Sequence, residues 1–208
     1  VNRGKLSLCI NLQKPGAAEL MKELVRVSDV VIDNFAPGVM EKFGLGWEQL
    51  SAVQPNLVMC SMSAAGQQGP LRGIRTYAVM IGALSGLNSM VGYAGDRVIA
   101  VQSPPYADPN AGIHAAFGIL AALWRRERTG AGAYIDLSQW EAAVNMMGAY
   151  VMDYVRNGRV PGTVGLQQSP CSPCGHYPVA GEDRWISIMV EDDVAWDRLA
   201  QVLGRPEW

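Results

Sequence analysis

The segment Asp108-Pro109-Asn110-Ala111-Gly112-Ile113-His114 places a carboxylate directly before a strongly helix-forming run. Asp108 fits the N-cap position of a helix over Pro109–Arg126, and aspartate is a favoured N-cap whatever the function. The positive end of that helix would also stabilise negative charge on the carboxylate. The approach Pro104-Pro105-Tyr106-Ala107 is stiff and weakly polar. These residues alone therefore leave both helix capping and nucleophilic catalysis open for Asp108.

Two other groups with reactive side chains have ordinary structural interpretations. His114 lies on the same helix between Ile113 and Ala115, which favours helix packing over a role as a base. The segment Cys171–His176 has only one cysteine pair, whereas a structural zinc site has four ligands. Gly175 breaks the c-type haem pattern, and a redox Cys-x-x-Cys is expected at a helix N-terminus and not in a Gly/Pro-rich loop. We predict no metal site.

The turn Asp33-Asn34-Phe35-Ala36-Pro37-Gly38 follows a short apolar run and precedes a helical pattern. In an open parallel sheet, ligands bind beyond the carboxyl ends of the strands. The turn is therefore either a ligand-binding turn or a plain connection between a strand and a helix.

Strand-like and helix-like patterns alternate along the chain around these groups. Alternation of this kind predicts right-handed crossovers and a doubly wound α/β sheet. The predicted strands are Leu6–Leu12, Asp29–Asp33, Asn56–Ser63 and Tyr134–Ser138, with an extended segment at Val98–Ser103. The predicted helices are 16–27, Pro37–Leu45, Trp47–Val53, 76–88, Pro109–Arg126 and Gln139–Arg156.

Composition changes after Gly158, where glycine and proline become frequent and no periodicity is visible. We predict a Rossmann-like large domain over residues 1–140, incomplete at its N-terminus. A linker helix with a Gly/Pro-rich loop over residues 141–182 would follow. The start of a smaller α+β domain over residues 183–208 would contain a strand, Trp185–Val190, and a helix, Asp193–Leu203. The start at Val1 suggests an excerpt of a longer protein.

Bulk composition excludes several classes of protein. The 208 residues are 49% hydrophobic and 17% charged, which is typical of a globular protein. A formal net charge of −2 provides no basic surface for nucleic acid or anionic membranes. No apolar run approaches the length of a membrane span, and we expect no signal peptide, because Val1–Lys5 leads into strand-like sequence. Cys9 and Cys60 lie in apolar runs and are expected to be buried thiols. We expect a cytoplasmic protein.

Several segments, taken in this order and spacing, resemble family III CoA transferases, which include formyl-CoA, crotonobetainyl-CoA and benzylsuccinate CoA transferases. The same superfamily contains α-methylacyl-CoA racemase. The resemblance covers nearly the whole chain. Its segments are Asn2–Lys5, Leu12–Gly16, Asp29–Gly38, Gly44–Trp47, Gly66–Pro70, Leu84–Gly86, Asp108–Leu123, Arg128–Gly130 and Gly181–Ile186 with Trp196.

The resemblance implies that Asp108 is a covalent nucleophile. Its carboxylate would attack an acyl-CoA thioester, and the released CoA thiolate would return to form an aspartyl-CoA thioester. An acceptor acid would then take up the CoA. CoA is the substrate, and no metal or other cofactor is implied. The implied CoA-binding residues are Ile10, Asn34, Phe35, Val39, Lys42, Arg75, Tyr77 and Gln139. The full-length protein is expected to be an interlocked homodimer.

The chain departs from the family pattern at Ala78, where an acidic residue is common. The racemase branch carries His-Asp at the positions of Tyr77 and Ala78, so racemisation is the less favoured alternative. A further alternative is a non-catalytic fold fragment. The runs Asp136–Gln139 and Gly181–Trp185 favour bulky or dicarboxylic acids as substrates over formate and oxalate.

Overall fold

The computed structural model describes residues 2–95, 98–99, 106–163, 165 and 171–208. These residues fold into two compact units. The first comprises the described residues of Val1–Ser85 and Gln102–Gly148, and the second those of Gly86–Val101 and Ala149–Trp208. None of the helices in this part of the chain has both the length and the apolar character to cross a membrane.

The first unit is built on a three-stranded parallel sheet in the order β1-β2-β3. These strands are β1 (Val30–Asp33), β2 (Val58–Ser63) and β3 (Ala133–Ser138). Asp33 is in register with Ser61, and Ser63 with Ser138. The apolar runs at Asp29–Asp33, Asn56–Ser63 and Tyr134–Ser138 are thus confirmed as strands, and the predicted α/β class is confirmed with them.

Helices connect the strands. They are α1 (Ala17–Arg26), α2 (Val39–Lys42), α3 (Trp47–Val53), α4 (Ala78–Leu84), α5 (Ala107–Thr129) and α6 (Gln139–Asn145). Two separate hydrophobic clusters lie on the two faces of the sheet. Met59 of β2 packs with Val25, Leu45 and Leu50, while its neighbours Val58 and Cys60 pack with residues of α5. Because successive side chains of a strand point to opposite faces, β2 contributes to both clusters.

The long helix α5 is attached to the sheet at its C-terminal end. Arg126 donates to the backbone oxygen of Asn56 at 3.2 Å and forms an ion pair with Asp29 Oδ1 at 2.8 Å. Gly130 ends the helix in the left-handed conformation, at φ 70°. Both the C-terminal arginine and the glycine stop match the pattern in the sequence.

The second unit contains a two-stranded antiparallel sheet, β4 (Cys174–Pro178) and β5 (Trp185–Met189), together with α7 (Gly148–Asn157) and α8 (Asp193–Val202). A short 3₁₀ helix spans Leu87–Met90. The carboxylate of Asp192 accepts a hydrogen bond from the Ala195 amide at 2.7 Å and caps α8. The predicted strand at Trp185 and helix at Asp193 are confirmed.

Three predictions about secondary structure are wrong. Residues 6–12 form no strand, since no other described strand pairs with them; Leu6 is fully exposed, and Cys9 is exposed and not buried. The predicted helix Gln139–Arg156 is two helices, because the Met146 and Met147 amides bond to carbonyls three residues back and close α6. The predicted Gly/Pro-rich loop contains β4, which forms because its backbone pairs with β5.

The predicted extended segment Val98–Ser103 lies partly outside the described residues. Val98 itself pairs with Gly92 in an isolated antiparallel bridge.

Gly132, directly before β3, offers a test of the sheet packing. A Cβ at this position would lie 2.3 Å from the Leu57 carbonyl oxygen and 2.8 Å from that of Pro55. We expect Gly132→Ala to lower the free energy of unfolding by about 2 kcal/mol or more, because two strand backbones would have to separate. Gly148→Ala is the control, since a Cβ there has no described atom within 4 Å. Equal urea midpoints for the two variants would contradict this packing.

Candidate functional site

The carboxyl ends of the three parallel strands lie at one edge of the sheet. β1 ends at Asp33, β2 at Ser63 and β3 at Ser138. Each of these residues is buried and polar, although their strands are otherwise mostly apolar. The ends of β1 and β2 lead into turns, and the end of β3 leads directly into α6, which begins at the implicated residue Gln139. This edge is therefore the candidate site, as the topology of a parallel sheet predicts.

Asp33 holds the first of these turns in place. Its carboxylate accepts a hydrogen bond from Ser61 Oγ on the neighbouring strand at 2.7 Å and another from the Phe35 amide at 3.1 Å. Burial raises the pKa of the Asp33 carboxyl, while the two hydrogen bonds act in the opposite direction. The contact with Phe35 leaves the side chains of Asn34 and Phe35 exposed beyond the strand end.

A pocket with a volume of about 170 Å³ opens beside this turn. Its lining combines an amide, a guanidinium and two hydroxyls with apolar side chains. The lining residues are Asn34, Phe35, Ala36, Pro37, Ser63, Ala64, Ile74, Arg75 and Thr76. The structure thus brings together Asn34, Phe35 and Arg75, three of the residues that the sequence singled out. In the sequence, Arg75 is about forty residues from the other two.

Ser63 and Thr76 were not identified from the sequence. Ser63 Oγ and Thr76 Oγ1 are buried and have no hydrogen-bond partner within the described part of the chain. A buried hydroxyl without a partner costs about 1–3 kcal/mol. The one signal in the sequence was that Ser63 ends a buried strand at the edge where ligands bind.

Interactions across the sheet edge order the loops around the pocket. The Gln67 amide donates to Asp136 Oδ1 of β3 at 2.8 Å, and the Trp140 amide donates to the Ala64 carbonyl at 3.0 Å. Ser138 Oγ accepts from the Glu141 amide and caps α6. These contacts tie the loop that follows β2 to the end of β3.

Asp108 lies in the first turn of α5 and is exposed. Its prediction as the N-cap is wrong by two positions, because α5 begins at Ala107 and Tyr106 is the N-cap. The Asn110 amide donates to the Tyr106 carbonyl at 3.1 Å, so the helical hydrogen bonds already start at Tyr106, and Ala107 is buried with Ala78, Ile81 and Ala143. The first-turn position still places the carboxylate near the positive end of the helix.

Asn110 and His114 attach the start of α5 to α6. Asn110 Nδ2 donates to the Ala142 carbonyl at 2.8 Å. His114 Nδ1 lies 2.9 Å from the Asn110 carbonyl, and its Nε2 lies 3.2 Å from Asn145 Nδ2. The tautomer with hydrogen on Nδ1 satisfies both contacts, because Nδ1 then donates and Nε2 accepts. The contacts agree with the packing interpretation of His114, and they position the helical turn that carries Asp108.

The other implicated residues lie outside the lining of the pocket. Tyr77 is exposed directly before α4, and Ala78 is buried in the cluster that contains Ala107. The methyl group of Ala78 therefore packs against the start of α5, at the position where the family pattern commonly has an acidic residue. The remaining residues are Ile10 in the N-terminal segment, Val39 and Lys42 at the two ends of α2, and Gln139 at the start of α6.

The cysteines form no reactive cluster in the described ranges. Burial raises the pKa of the Cys60 thiol to about 11, so this thiol stays protonated and unreactive at neutral pH. Cys171 and Cys174 are free and half-buried, and His176 Nδ1 is 2.6 Å from Ser187 Oγ. The described residues contain no group of three or more His, Cys, Asp or Glu side chains that could hold a metal ion.

Comparison with known proteins identifies relatives over the whole chain. The family described as CoA-transferase family III matches residues 1–208. The succinyl-CoA–L-malate CoA-transferase beta subunit of Chloroflexus aurantiacus is 35% identical over 207 residues, covering 99% of this chain and 51% of that protein. Acetyl-CoA:oxalate CoA-transferase of Acetobacter aceti is 32% identical over 207 residues, covering 100% of this chain and 53% of that protein.

The crystal structure of a CAIB/BAIF family protein from Brucella suis has the same fold. The TM-score is 0.89 at 30% identity, and the match covers 99% of this chain and 54% of the other. The chain therefore spans about half the length of the relatives that it matches.

The raised pKa of Asp33 has a consequence for stability. Because the folded state holds the proton more tightly than the unfolded state, the wild type should lose stability as pH rises from the ordinary value of 3.8 through the folded pKa. Asp33→Asn removes this loss, since the amide carries no charge; its Oδ1 can accept from the Phe35 amide and its Nδ2 can donate to Ser61 Oγ, which reverses that hydrogen bond. We expect the stability of the variant relative to wild type to increase with pH through this window and then level off. Urea denaturation of both proteins across the acidic pH range measures this difference in stability. A difference that does not change with pH would contradict the raised pKa of Asp33.

Proposed function

The chain belongs to CoA-transferase family III, and on that premise we propose that the protein transfers coenzyme A from an acyl-CoA to a carboxylic acid. The observation that carries the proposal is the exposed carboxylate of Asp108 in the first turn of α5. This group is accessible to a bulky thioester, and its helix is attached to both the sheet and α6.

Asp108 would act as the nucleophile. Its carboxylate oxygen attacks the carbonyl carbon of the acyl-CoA, and the C–S bond breaks to give a mixed anhydride and free CoA thiolate. The thiolate then attacks the aspartyl carbonyl and releases the first acid as its carboxylate, leaving an aspartyl-CoA thioester. An acceptor carboxylate repeats the two steps in reverse and leaves with CoA. Protons balance throughout, because each acid enters or leaves as a carboxylate.

The turn at the end of β1 would hold the CoA. Asn34, Phe35 and Arg75 line one pocket at the sheet edge, and Lys42 is exposed at the end of the helix that follows the turn. The two cations match the negative charge of the CoA phosphates. Ile10, Val39, Tyr77 and Gln139 complete the proposed set, with Tyr77 bounding the channel beside the nucleophile. The reaction as proposed needs no metal or further cofactor.

We propose a dicarboxylic acid as the acceptor. The relative from Chloroflexus is named for L-malate, a dicarboxylic acid, and supports this class. The relative from Acetobacter is named for oxalate, which is also dicarboxylic but which the sequence pattern disfavours. The buried Ala78 near the start of α5 places no negative charge there that would repel a second carboxylate. We also propose that the full-length protein is a cytoplasmic, interlocked homodimer; a relative named as a beta subunit supports assembly from more than one chain.

Replacement of the nucleophile tests the mechanism. We expect Asp108→Asn to lower the rate of transfer in the full-length protein at least about a thousandfold, since no aspartyl thioester can form. When the wild type is incubated with an acyl-CoA, hydroxylamine should attack the aspartyl-CoA thioester, release CoA and leave a hydroxamate on the Asp108 peptide, which mass spectrometry would detect. Asp193→Asn, which changes another first-turn aspartate, is the control and should leave the rate unchanged. Transfer at the wild-type rate by the Asp108 variant would overturn the proposal.

Deuterium exchange distinguishes a racemase from a transferase. A racemase would exchange the Cα hydrogen of an acyl-CoA in D₂O without a second acid, whereas a transferase requires the acceptor. We expect no exchange over the time in which transfer is complete. Exchange at the rate of turnover would instead favour the racemase.

A panel of acids tests the proposed acceptor class. We expect kcat/KM for succinate or malate to exceed that for butyrate by at least about tenfold, because the site would bind the second carboxylate as well as the reacting one. Equal values for succinate and butyrate would show that the second carboxylate is not recognised.

A further inference from the structure

Ser63 and Thr76 place two buried hydroxyls in the wall of one pocket. Ser63 is the last residue of β2 and only 4% exposed, while Thr76 lies in the segment before α4. Both hydroxyl oxygens lie out of contact with solvent and have no hydrogen-bond partner among the described residues. Both residues line the pocket that also contains Asn34 and Arg75.

These hydroxyls do not stabilise the free protein. A buried hydroxyl that makes no hydrogen bond is less favourable than a methyl group of similar size. Valine at position 76 would fill nearly the same space without this penalty, and alanine at position 63 would remove the unpaired oxygen altogether. A ligand that hydrogen-bonds to both hydroxyls would offset the penalty when it binds. Where an oxygen faces away from the pocket, a change between staggered rotamers about the Cα–Cβ bond would be needed to bring it to the ligand.

The surrounding charges indicate what kind of group they bind. The buried carboxylate of Asp33 lies directly before the lining residue Asn34 and bonds to the amide of Phe35, so a second negative charge close to it is disfavoured. Arg75, the cation of the lining, is exposed and can meet an anion at the protein surface. We therefore take the group that binds the two hydroxyls to be neutral. An amide matches the site, since it donates and accepts, as each hydroxyl does.

The rest of the wall favours a slender ligand with apolar carbon groups. Phe35, Pro37 and Ile74 supply apolar surface beside the hydroxyls, and Asn34 adds a second amide partner. The pantetheine arm of CoA has this chemistry, because it alternates amides with methylene and methyl groups. Its phosphates carry the negative charge and lie at the other end of the molecule.

We propose that Ser63 and Thr76 hydrogen-bond to an amide of the pantetheine arm and position it in this pocket. The assignment rests on the proposed CoA transferase function. In this assignment the two hydroxyls bind the ligand, whereas in the free protein they make no hydrogen bond to the described residues.

The test uses Ser63→Ala and Thr76→Val in the full-length protein. Calorimetry would measure the binding of CoA, pantetheine and adenosine 3′,5′-bisphosphate, and thermal unfolding would be followed without ligand. We expect each variant to bind CoA and pantetheine about three- to tenfold more weakly, the scale of one neutral hydrogen bond. Binding of the bisphosphate should not change, and the melting temperature should be equal or higher. Ser51→Ala, which removes an exposed hydroxyl on α3, is the control and should change neither property.

The combination of weaker binding and undiminished stability is the signature of a ligand contact. If the wild type binds CoA and both variants bind it equally well, the assignment is overturned while the transferase proposal stands. The assignment is also overturned if the variants melt at lower temperature and lose affinity for all three ligands, because the hydroxyls would then be structural. If the wild type binds neither CoA nor pantetheine, the proposed function fails and the assignment fails with it.

Discussion

Strand β2 is hydrogen-bonded to a parallel strand on each side and packed against helices on both faces. This double burial is the constraint on which the rest of the first unit depends. Its side chains must be apolar on both faces until the strand reaches the edge of the sheet, where Ser61 and Ser63 appear. Because all three strands run in the same direction, their polar ends and the following turns meet at that edge. The candidate pocket at this edge is lined by residues that follow β1, by Ser63 and Ala64 at the end of β2, and by Ile74, Arg75 and Thr76.

Two carboxylates near this edge differ because their surroundings differ. Asp33 is buried and bonded to Ser61 and Phe35, so its role is to shape a turn. Asp108 is exposed in the first turn of a helix, where the backbone favours negative charge and a substrate can approach. Aspartate thus has a structural role at position 33 and, in the proposed function, is the nucleophile at position 108. Asn110 and His114 contribute by attaching the helix that carries Asp108, and they leave its carboxylate free of these contacts.

Local sequence patterns were sufficient to predict the helices and strands whose stability is largely local or whose burial is complete. The apolar runs of β1, β2 and β3 and the helix that ends at Gly130 are of this kind. The wrong predictions of secondary structure lie where the structure of a segment depends on its hydrogen-bonding partners. Residues 6–12 alternate as a strand should, yet no described strand pairs with them, whereas Cys174–Pro178 contains glycine and proline and pairs with β5. The break between α6 and α7 depends on hydrogen bonds of Met146 and Met147 that no periodicity reveals.

Residue patterns along the chain were enough to identify the class of the fold, its three parallel strands, the helix that ends at Gly130, and the ordered motifs that lead to the family and to Asp108. These features depend on residue types at short spacings along the chain. Three features became visible only in three dimensions: Arg75 and Thr76 share a pocket with Asn34, Ala78 packs with Ala107, and the buried hydroxyls of Ser63 and Thr76 have no partner among the described residues. Burial and hydrogen bonding depend on atoms contributed by distant segments, and their positions are set by the packing of the whole sheet edge.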